Sequence, residues 1–600
     1  MTTNEVAAGE SRARLEENLE RVEELSKRLV SALTRRHPTP PALNGPDHAL
    51  YAKAAQAYLQ EWITNPAKLI EQQVSFWGKT VTTFVEAQQQ LARGKLQAPE
   101  NPGPSDKRFQ NPLWDSHPYF NYVKQQYLIN ADAIRNAVES IEDMDETEKR
   151  RLRYFSQQIV DMFAPTNFLA TNPDALMKAV ETEGESLVRG LENLVKDLEA
   201  NNGELVVRLA DDTAFEIGEN IATAQGEVIY RNRMMEIIQY SPTTDQVYET
   251  PIVLFPPWIN KFYILDLKPQ NSLIRWVVDQ GYTLFVVSWI NPDGKYRDVG
   301  LEEYVDEGFL KAIEVAKEIC QTDKVNAVGY CIAGTTLSLT LSLMKKRGDK
   351  SVKSATFFTA LTDFSDQGEF TPFLQEDFAD GIEQEINQEG ILPSFIMART
   401  FSFLRSNDLI YGPAIRSYMM GETPPAFDLL YWNGDGANLP GRMFSQYLRG
   451  LCQRNEFAEG TFELFGETLS VKDVDVPLMS IAAETDHIAA ARDVFRGVQM
   501  MGSRSKQFVL GQSGHIAGIV NPPSKVKYGH YVNDDLKLDF DAWKEAADYR
   551  EGSWWPHWEA WLKKRSGKKV AARAPGDSAY ESLAPAPGTY VKLKAAQQNQ

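Results

Sequence analysis

Cysteine is scarce: the 600-residue chain has three, Cys320, Cys331 and Cys452. An odd and sparse set builds no disulfide framework and points to a reducing compartment. No C-x-x-C pair occurs, and the seven histidines fall at no metal-ligand spacing, so no structural zinc is expected. Positive charge is also short. The 63 Lys and Arg stand against 82 Asp and Glu, a net charge of −19, which argues against nucleic-acid binding because phosphate neutralisation takes a basic surface. No apolar run reaches the length of a membrane span. The N-terminus, MTTNEVAAGESRARLEENLERVEELSKRL, lacks the apolar centre of a signal peptide. These absences lead to the expectation of a soluble cytoplasmic protein.

What is present is apolar and aromatic. Hydrophobic residues make up 43% of the chain, enough for a large core. Residues 1–47 are charge-rich and read as a loose segment, helical in pattern and solvated or loosely docked over residues 11–36, and closed by His37-Pro38-Thr39-Pro40-Pro41. Residues 48–202 read as an all-helical domain. Its apolar stripe, with Leu59, Trp62, Ile63, Phe76, Trp77 and Phe84, fits either ordinary packing or a surface for a hydrophobic partner. From residue 203 short apolar runs alternate with helical stretches, including Ile252–Phe255, Thr283–Trp289, Val325–Val328, Ala355–Thr359, Val476–Ala482 and Lys506–Leu510. Alternation of this kind means βαβ units and a parallel sheet, here assigned to residues 203–565. Residues 364–450 break the alternation with Phe, Tyr, Trp and Met and read as a cap or lid. Residues 566–600, rich in Lys, Ala, Pro and Gln, read as a loose tail.

The chemistry centres on Lys324 to Met344, KVNAVGYCIAGTTLSLTLSLM. Strand, sharp turn, nucleophile and helix in that order make a nucleophile elbow of an α/β-hydrolase fold. Gly329 and Gly334 let strand and helix approach closely, and Ala333 stands where the elbow pattern has its second glycine. Cys331 holds the nucleophile position. Two partners follow in triad order, Asp486 in AAETDHIAA and His515 in GQSGHIAG, each just past a strand. His487 is the rival base. Cys320 and Cys452 read as small buried hydrophobes. An oxyanion hole would use the backbone N–H of Ile332 and that of Trp258 or Ile259, since Pro256 and Pro257 have no N–H to give. A thiol in place of a hydroxyl suits acyl transfer from a thioester donor, because exchange between thioesters is nearly neutral in energy and the chain stays activated.

The segments FPPWINKFYILDLKPQNSL, VVSWINPD, GYCIAGT, SNDLIYG, FDLLYWNGDGANLPG, ETDHIA and GQSGHIAGIVNPP resemble those of class I polyhydroxyalkanoate synthases, over most of residues 50–565. The resemblance implies an α/β-hydrolase fold with a cap, preceded by a helical N-terminal domain. It also implies that Cys331 is acylated by (R)-3-hydroxyacyl-CoA, a short-chain unit such as 3-hydroxybutyryl-CoA, with CoA released. CoA is then part of the substrate, and neither a cofactor nor a metal is expected. By the same resemblance His515 deprotonates the thiol, Asp486 helps activate the substrate 3-hydroxyl rather than only orienting the histidine, and Arg405 lies in a substrate channel. Homodimerisation and contacts with the growing polyester, the granule surface and granule-associated proteins are implied as well. Two other readings share many of these features: a cysteine hydrolase releasing free acid, and a non-catalytic granule scaffold.

Overall fold

The computed structural model describes residues 3–35, Lys79, 106–142, 144–366 and 368–595. The chain forms two compact units, Met1–Leu209 with Arg399–Pro425, and Ala210–Ala398 with Ala426–Gln600. The aromatic stripe at residues 59–84 lies, apart from Lys79, outside the described residues.

In the first unit, helix α1 (Thr3–Leu33) lies along α4 (Glu185–Ala200). Leu25 is buried against Val188 and Val195. Arg21 pairs with Glu185 and Glu192 at 3.0 and 2.8 Å, and Arg28 with Glu199 at 2.7 Å. Half-exposed ion pairs contribute little each, so the apolar seam carries the docking. The helical pattern read over residues 11–36 is seen in α1, and from Arg21 to Leu29 the helix is docked rather than loose: a charge-rich composition concealed one narrow apolar face. Helices α2 (Pro118–Glu139) and α3 (Glu146–Met162) pack over Phe109, Trp114, Phe120 and Tyr127. Proline opens α2, and Asp145 caps α3 by accepting the Thr147 and Glu148 amides. Residues 204–209, which alternate like a strand, form none.

The second unit is built on an eleven-stranded sheet. Its strands are β1 (Gly226–Arg231), β2 (Met235–Tyr240), β3 (Ile252–Phe255), β4 (Leu284–Trp289), β5 (Val325–Tyr330), β6 (Val352–Phe358), β7 (Leu478–Ala483), β8 (Lys506–Gly511), β9 (His530–Val532), β10 (Asp548–Arg550) and β11 (Ala584–Pro585). They lie in the order β10-β9-β8-β7-β6-β5-β3-β4-β2-β1-β11. The central strands β4, β3, β5, β6, β7 and β8 are parallel. Both β3 and β5 are buried along their whole length, as strands covered by helices on both faces must be. The chain steps from β3 to β4 on one side and then returns to β5 on the other. The loops leaving β3 and β5 are thereby neighbours at the carboxyl edge, where open α/β sheets hold their ligands.

The stretch 364–450 does not stay together as one insertion: residues 399–425 belong to the first unit and the rest to the second. Within the second unit, Arg449 ties helix α8 (Glu376–Glu389) through Glu376, Asp380 and Glu383 at 2.6, 2.6 and 3.0 Å.

The described part of the tail, residues 566–595, is not loose. Lys569–Ala571 pairs antiparallel with Gln246–Tyr248, and β11 covers the free edge of β1. The buried carboxylate of Glu236 accepts the amides of Thr589 and Tyr590, both at 2.9 Å. Leu593 offers its carbonyl to Lys261 and Asn291 at 2.7 and 3.2 Å, and Lys594 pairs with buried Asp435 at 3.0 Å. A polar, proline-rich composition suggested mobility, but the tail is held by backbone pairing and isolated charges, which leave no apolar period to read.

Candidate active site

The elbow is strained where the fold class requires it. Cys331 has φ 54° and ψ −126°, a left-handed conformation that a non-glycine residue adopts only when its surroundings impose it. Its N–H continues the ladder of β5 and β6 by donating to the Phe358 carbonyl at 2.8 Å. Its own carbonyl accepts the Gly334 amide at 2.8 Å and so starts helix α7 (Ile332–Arg347). A Cβ on Gly329 would stand 2.6 Å from the Gly334 Cα, and one on Gly334 would stand 2.4 Å from the Ala360 Cβ. The need for glycine therefore falls on positions 329 and 334. Ala333 is fully buried with its methyl accommodated.

Asp486 and His515 are brought together from the ends of β7 and β8. Their Oδ2 and Nδ1 atoms are 2.6 Å apart. The other carboxylate oxygen of Asp486 accepts the Ile488 and Ala489 amides at 2.8 and 2.9 Å, which fixes its orientation. With Nδ1 engaged, Nε2 of His515 is left for the thiol of Cys331. Burial works against charge on this ring, but Asp486 and Cys331 more than offset it and raise its proton affinity well above the ordinary histidine value. His487, half-buried, is not the partner of the Asp486 carboxylate. Burial pushes the thiols of Cys320 and Cys452 up to about 11 and about 12, as their reading as inert core residues anticipates.

The Ile332 N–H is the first amide of α7, with no carbonyl one turn earlier in the helix to bond. Trp258 and Ile259 lie in the turn after β3. That turn is braced against the elbow helix by the Trp258 indole, which donates to the Thr336 hydroxyl at 3.2 Å. The Ala437 amide donates to the Ile259 carbonyl at 3.2 Å. Ile332 opens the helix after β5, while Trp258 and Ile259 lie in the turn after the neighbouring strand β3. Arg405 is exposed and belongs to the first unit.

Several supporting residues went unnoticed in the sequence. The Tyr330 ring stacks on His515 with centroids 5.9 Å apart, and its hydroxyl donates to the His515 carbonyl at 3.2 Å. The indoles of Trp554 and Trp555 donate to Gly518 and Ile519 at 2.8 Å each, holding the histidine loop from behind. Tyr447 packs its ring against Trp258 and Phe364 with centroids 5.9 and 6.0 Å away, adding an aromatic wall beside the oxyanion loop. The one local signal for any of them was the aromatic residue directly before the nucleophile.

Among the described residues no group of three or more His, Cys, Asp or Glu could hold a metal ion, and no helix is long and apolar enough to cross a membrane. An elbow cysteine beside a histidine that is oriented by a carboxylate can accept and pass on an acyl group.

Comparison with known proteins finds the chain similar to polyester polymerases and to the alpha/beta hydrolase fold. The family model described as the N-terminus of poly-beta-hydroxybutyrate polymerase (PhaC) matches residues 105–277, and that of the alpha/beta hydrolase fold matches residues 251–522. The poly(3-hydroxyalkanoate) polymerase of Methylorubrum extorquens is 41% identical over 89% of each chain. The polymerase subunit PhaC of Rhizobium etli is 38% identical over 88% of this chain and 84% of its own. That of Cupriavidus necator is 39% identical over 84% and 86%.

Proposed function

The chain belongs to the poly(3-hydroxyalkanoate) polymerase family and is an acyltransferase of polyester synthesis; from that premise we propose that it polymerises (R)-3-hydroxyacyl-CoA through a thioester on Cys331. The observation that carries the mechanism is the 2.6 Å Asp486–His515 contact behind a cysteine at the elbow. His515 Nε2 takes the thiol proton, and the Cys331 sulfur attacks the thioester carbonyl of the substrate. The oxyanion that forms is met by the amides of Ile332 and of Trp258 or Ile259. When the carbon–sulfur bond to CoA breaks, the imidazolium returns its proton to the CoA thiolate. The acyl group now sits on Cys331 at little cost, one thioester having replaced another. In the next stage His515 takes the proton of a 3-hydroxyl, and the alkoxide attacks an acyl thioester. The ester carbon–oxygen bond forms as the carbon–sulfur bond breaks, and the imidazolium gives its proton to the released thiolate.

The Asp486 side chain is wholly enclosed, with one oxygen on His515 and the other on two amides. We therefore assign its effect on the 3-hydroxyl to the histidine it orients. Short side chains such as 3-hydroxybutyryl, a homodimer and a cytoplasmic site at the granule surface with its associated proteins complete the proposal, and Arg405 keeps its proposed place in the substrate channel. The test is mass spectrometry of protein quenched early after mixing with (R)-3-hydroxybutyryl-CoA. A hydroxybutyryl adduct on the Cys331 peptide supports the mechanism. Turnover with the adduct on another residue refutes it.

A further inference from the structure

We propose that Tyr330 is a positioning residue for His515, its hydroxyl holding the backbone of the histidine so that the imidazole stays in register with Cys331. This rests on the acyl-cysteine reading above.

The histidine lies in a loop, GQSGHIAG, that is conformationally permissive. It carries Gly511, Gly514 and Gly518, and Ser513 stands at φ 78°. Fixed points exist on either side of the histidine. The Thr485 amide donates to the Ser513 carbonyl at 3.0 Å, the Gly518 amide to the Gly514 carbonyl at 2.8 Å, and Trp554 and Trp555 hold Gly518 and Ile519. Asp486 grips only Nδ1 of the ring. At the histidine backbone the anchor is Tyr330, through the 3.2 Å bond to the carbonyl and a ring stack inclined at 27°.

Tyr330 is itself immobile. It is the last residue of β5, 1% exposed, and its Cα is paired with Phe358 in the ladder. One peptide bond separates it from Cys331. The base is therefore tethered to the residue adjoining the nucleophile, and any shift of the loop relative to the thiol must break that tether. Misplacement of a reacting group by about 1 Å costs on the order of a hundredfold in rate. A phenylalanine would fill the same space with no buried hydroxyl to satisfy. What the hydroxyl adds is this one bond to the base loop. Burial, with Cys331 and Asp486 nearby, keeps the phenol protonated and so a donor.

The test is Tyr330→Phe, with three readouts against wild type: kcat and KM for CoA release from (R)-3-hydroxybutyryl-CoA, the rate of Cys331 alkylation by iodoacetamide, and the melting temperature. Loss of one neutral hydrogen bond at the base should lower kcat about five- to tenfold, leave KM within about twofold, and slow Cys331 alkylation in parallel. Gly514→Ala supplies a rescue, because its added Cβ would meet nothing nearer than the Thr485 carbonyl oxygen at 3.6 Å, and a loop with less freedom needs the tether less. In the Tyr330→Phe background it should recover part of the lost kcat. Wild-type kcat and alkylation in Tyr330→Phe would overturn the inference, and so would a loss confined to KM or one that Gly514→Ala leaves unchanged. A wild-type protein that alkylates at Cys331 yet releases no CoA sinks the polymerase reading instead, and the alkylation rates still decide the role of Tyr330.

Discussion

His515 Nδ1 lies 2.6 Å from Asp486 Oδ2, with the Asp486 side chain closed to solvent. The carboxylate thus fixes which imidazole nitrogen faces the thiol. Asparagine at 486 could still accept the Ile488 and Ala489 amides, but would place an N–H₂ or a neutral oxygen against Nδ1. Asp486→Asn is expected to fold normally and to lose about 10²–10⁴ in turnover, the scale seen when the histidine of a triad loses its carboxylate. Single-turnover quenching should still find acyl-Cys331, formed slowly, with chain growth blocked. Wild-type elongation in this variant would contradict the assigned role.

The elbow offers a contrast between neighbouring small residues. Gly334→Ala would drive a Cβ to 2.4 Å from that of Ala360 and should cost more than about 2 kcal/mol, in the range of overpacked cores. Ala333→Gly only loosens the first turn of α7, for about 0.5–1 kcal/mol, and should leave CoA release within about twofold. Thermal melts and initial rates of the two variants check this. Equal damage from both would mean that close packing across the turn is not set at 334.

Asp266, 1% exposed, gives a pH signature in stability. Burial raises its pKa to about 6, and the nearby Ser272 hydroxyl, the Ala224 amide, which donates to it at 2.8 Å, and the Arg275 charge only partly offset that. A carboxyl whose folded pKa is raised favours the folded state fully below the unfolded value near 3.8, and this contribution is lost as pH rises through about 6. The cost at neutral pH is on the order of 3 kcal/mol. Asp266→Asn should therefore raise the melting temperature at pH 7.5 and leave it nearly unchanged at pH 4. The same change at both pH values would exclude titration as the cause.

Removal of residues 582–600 would strip β11 from the edge of β1 and leave the Glu236 carboxylate buried with Arg231, without the amides of Thr589 and Tyr590. It would also free Lys261, next to the oxyanion loop, from the Leu593 carbonyl. The truncated chain should melt several degrees lower and self-associate through its open edge, as light scattering would show. An unchanged melt would mean that the tail contributes nothing to the sheet.

The readable parts of the molecule were local. The buried runs of β3 and β5, the glycines around Cys331, and Asp486 and His515 just past their strands are short patterns with one physical meaning each. Tyr330, Trp554 and Trp555 were not legible as supports, because what they do depends on which loop the fold brings to them. The tail and α1 escaped for a related reason. Their docking uses backbone ladders, single buried charges such as Glu236, and the narrow seam at Leu25, none of which stands out in a charged or proline-rich composition.

The most direct measurement is CoA release from (R)-3-hydroxybutyryl-CoA by the purified full chain and by Cys331→Ser, with insoluble polyester and free 3-hydroxybutyrate separated. CoA release matched by polyester in the wild type, and lowered at least about a thousandfold in the serine variant on the scale of losing a catalytic nucleophile, is the expected result. Release matched by free acid, or equal activity in the Cys331→Ser protein, would contradict polymerisation through an acyl-cysteine.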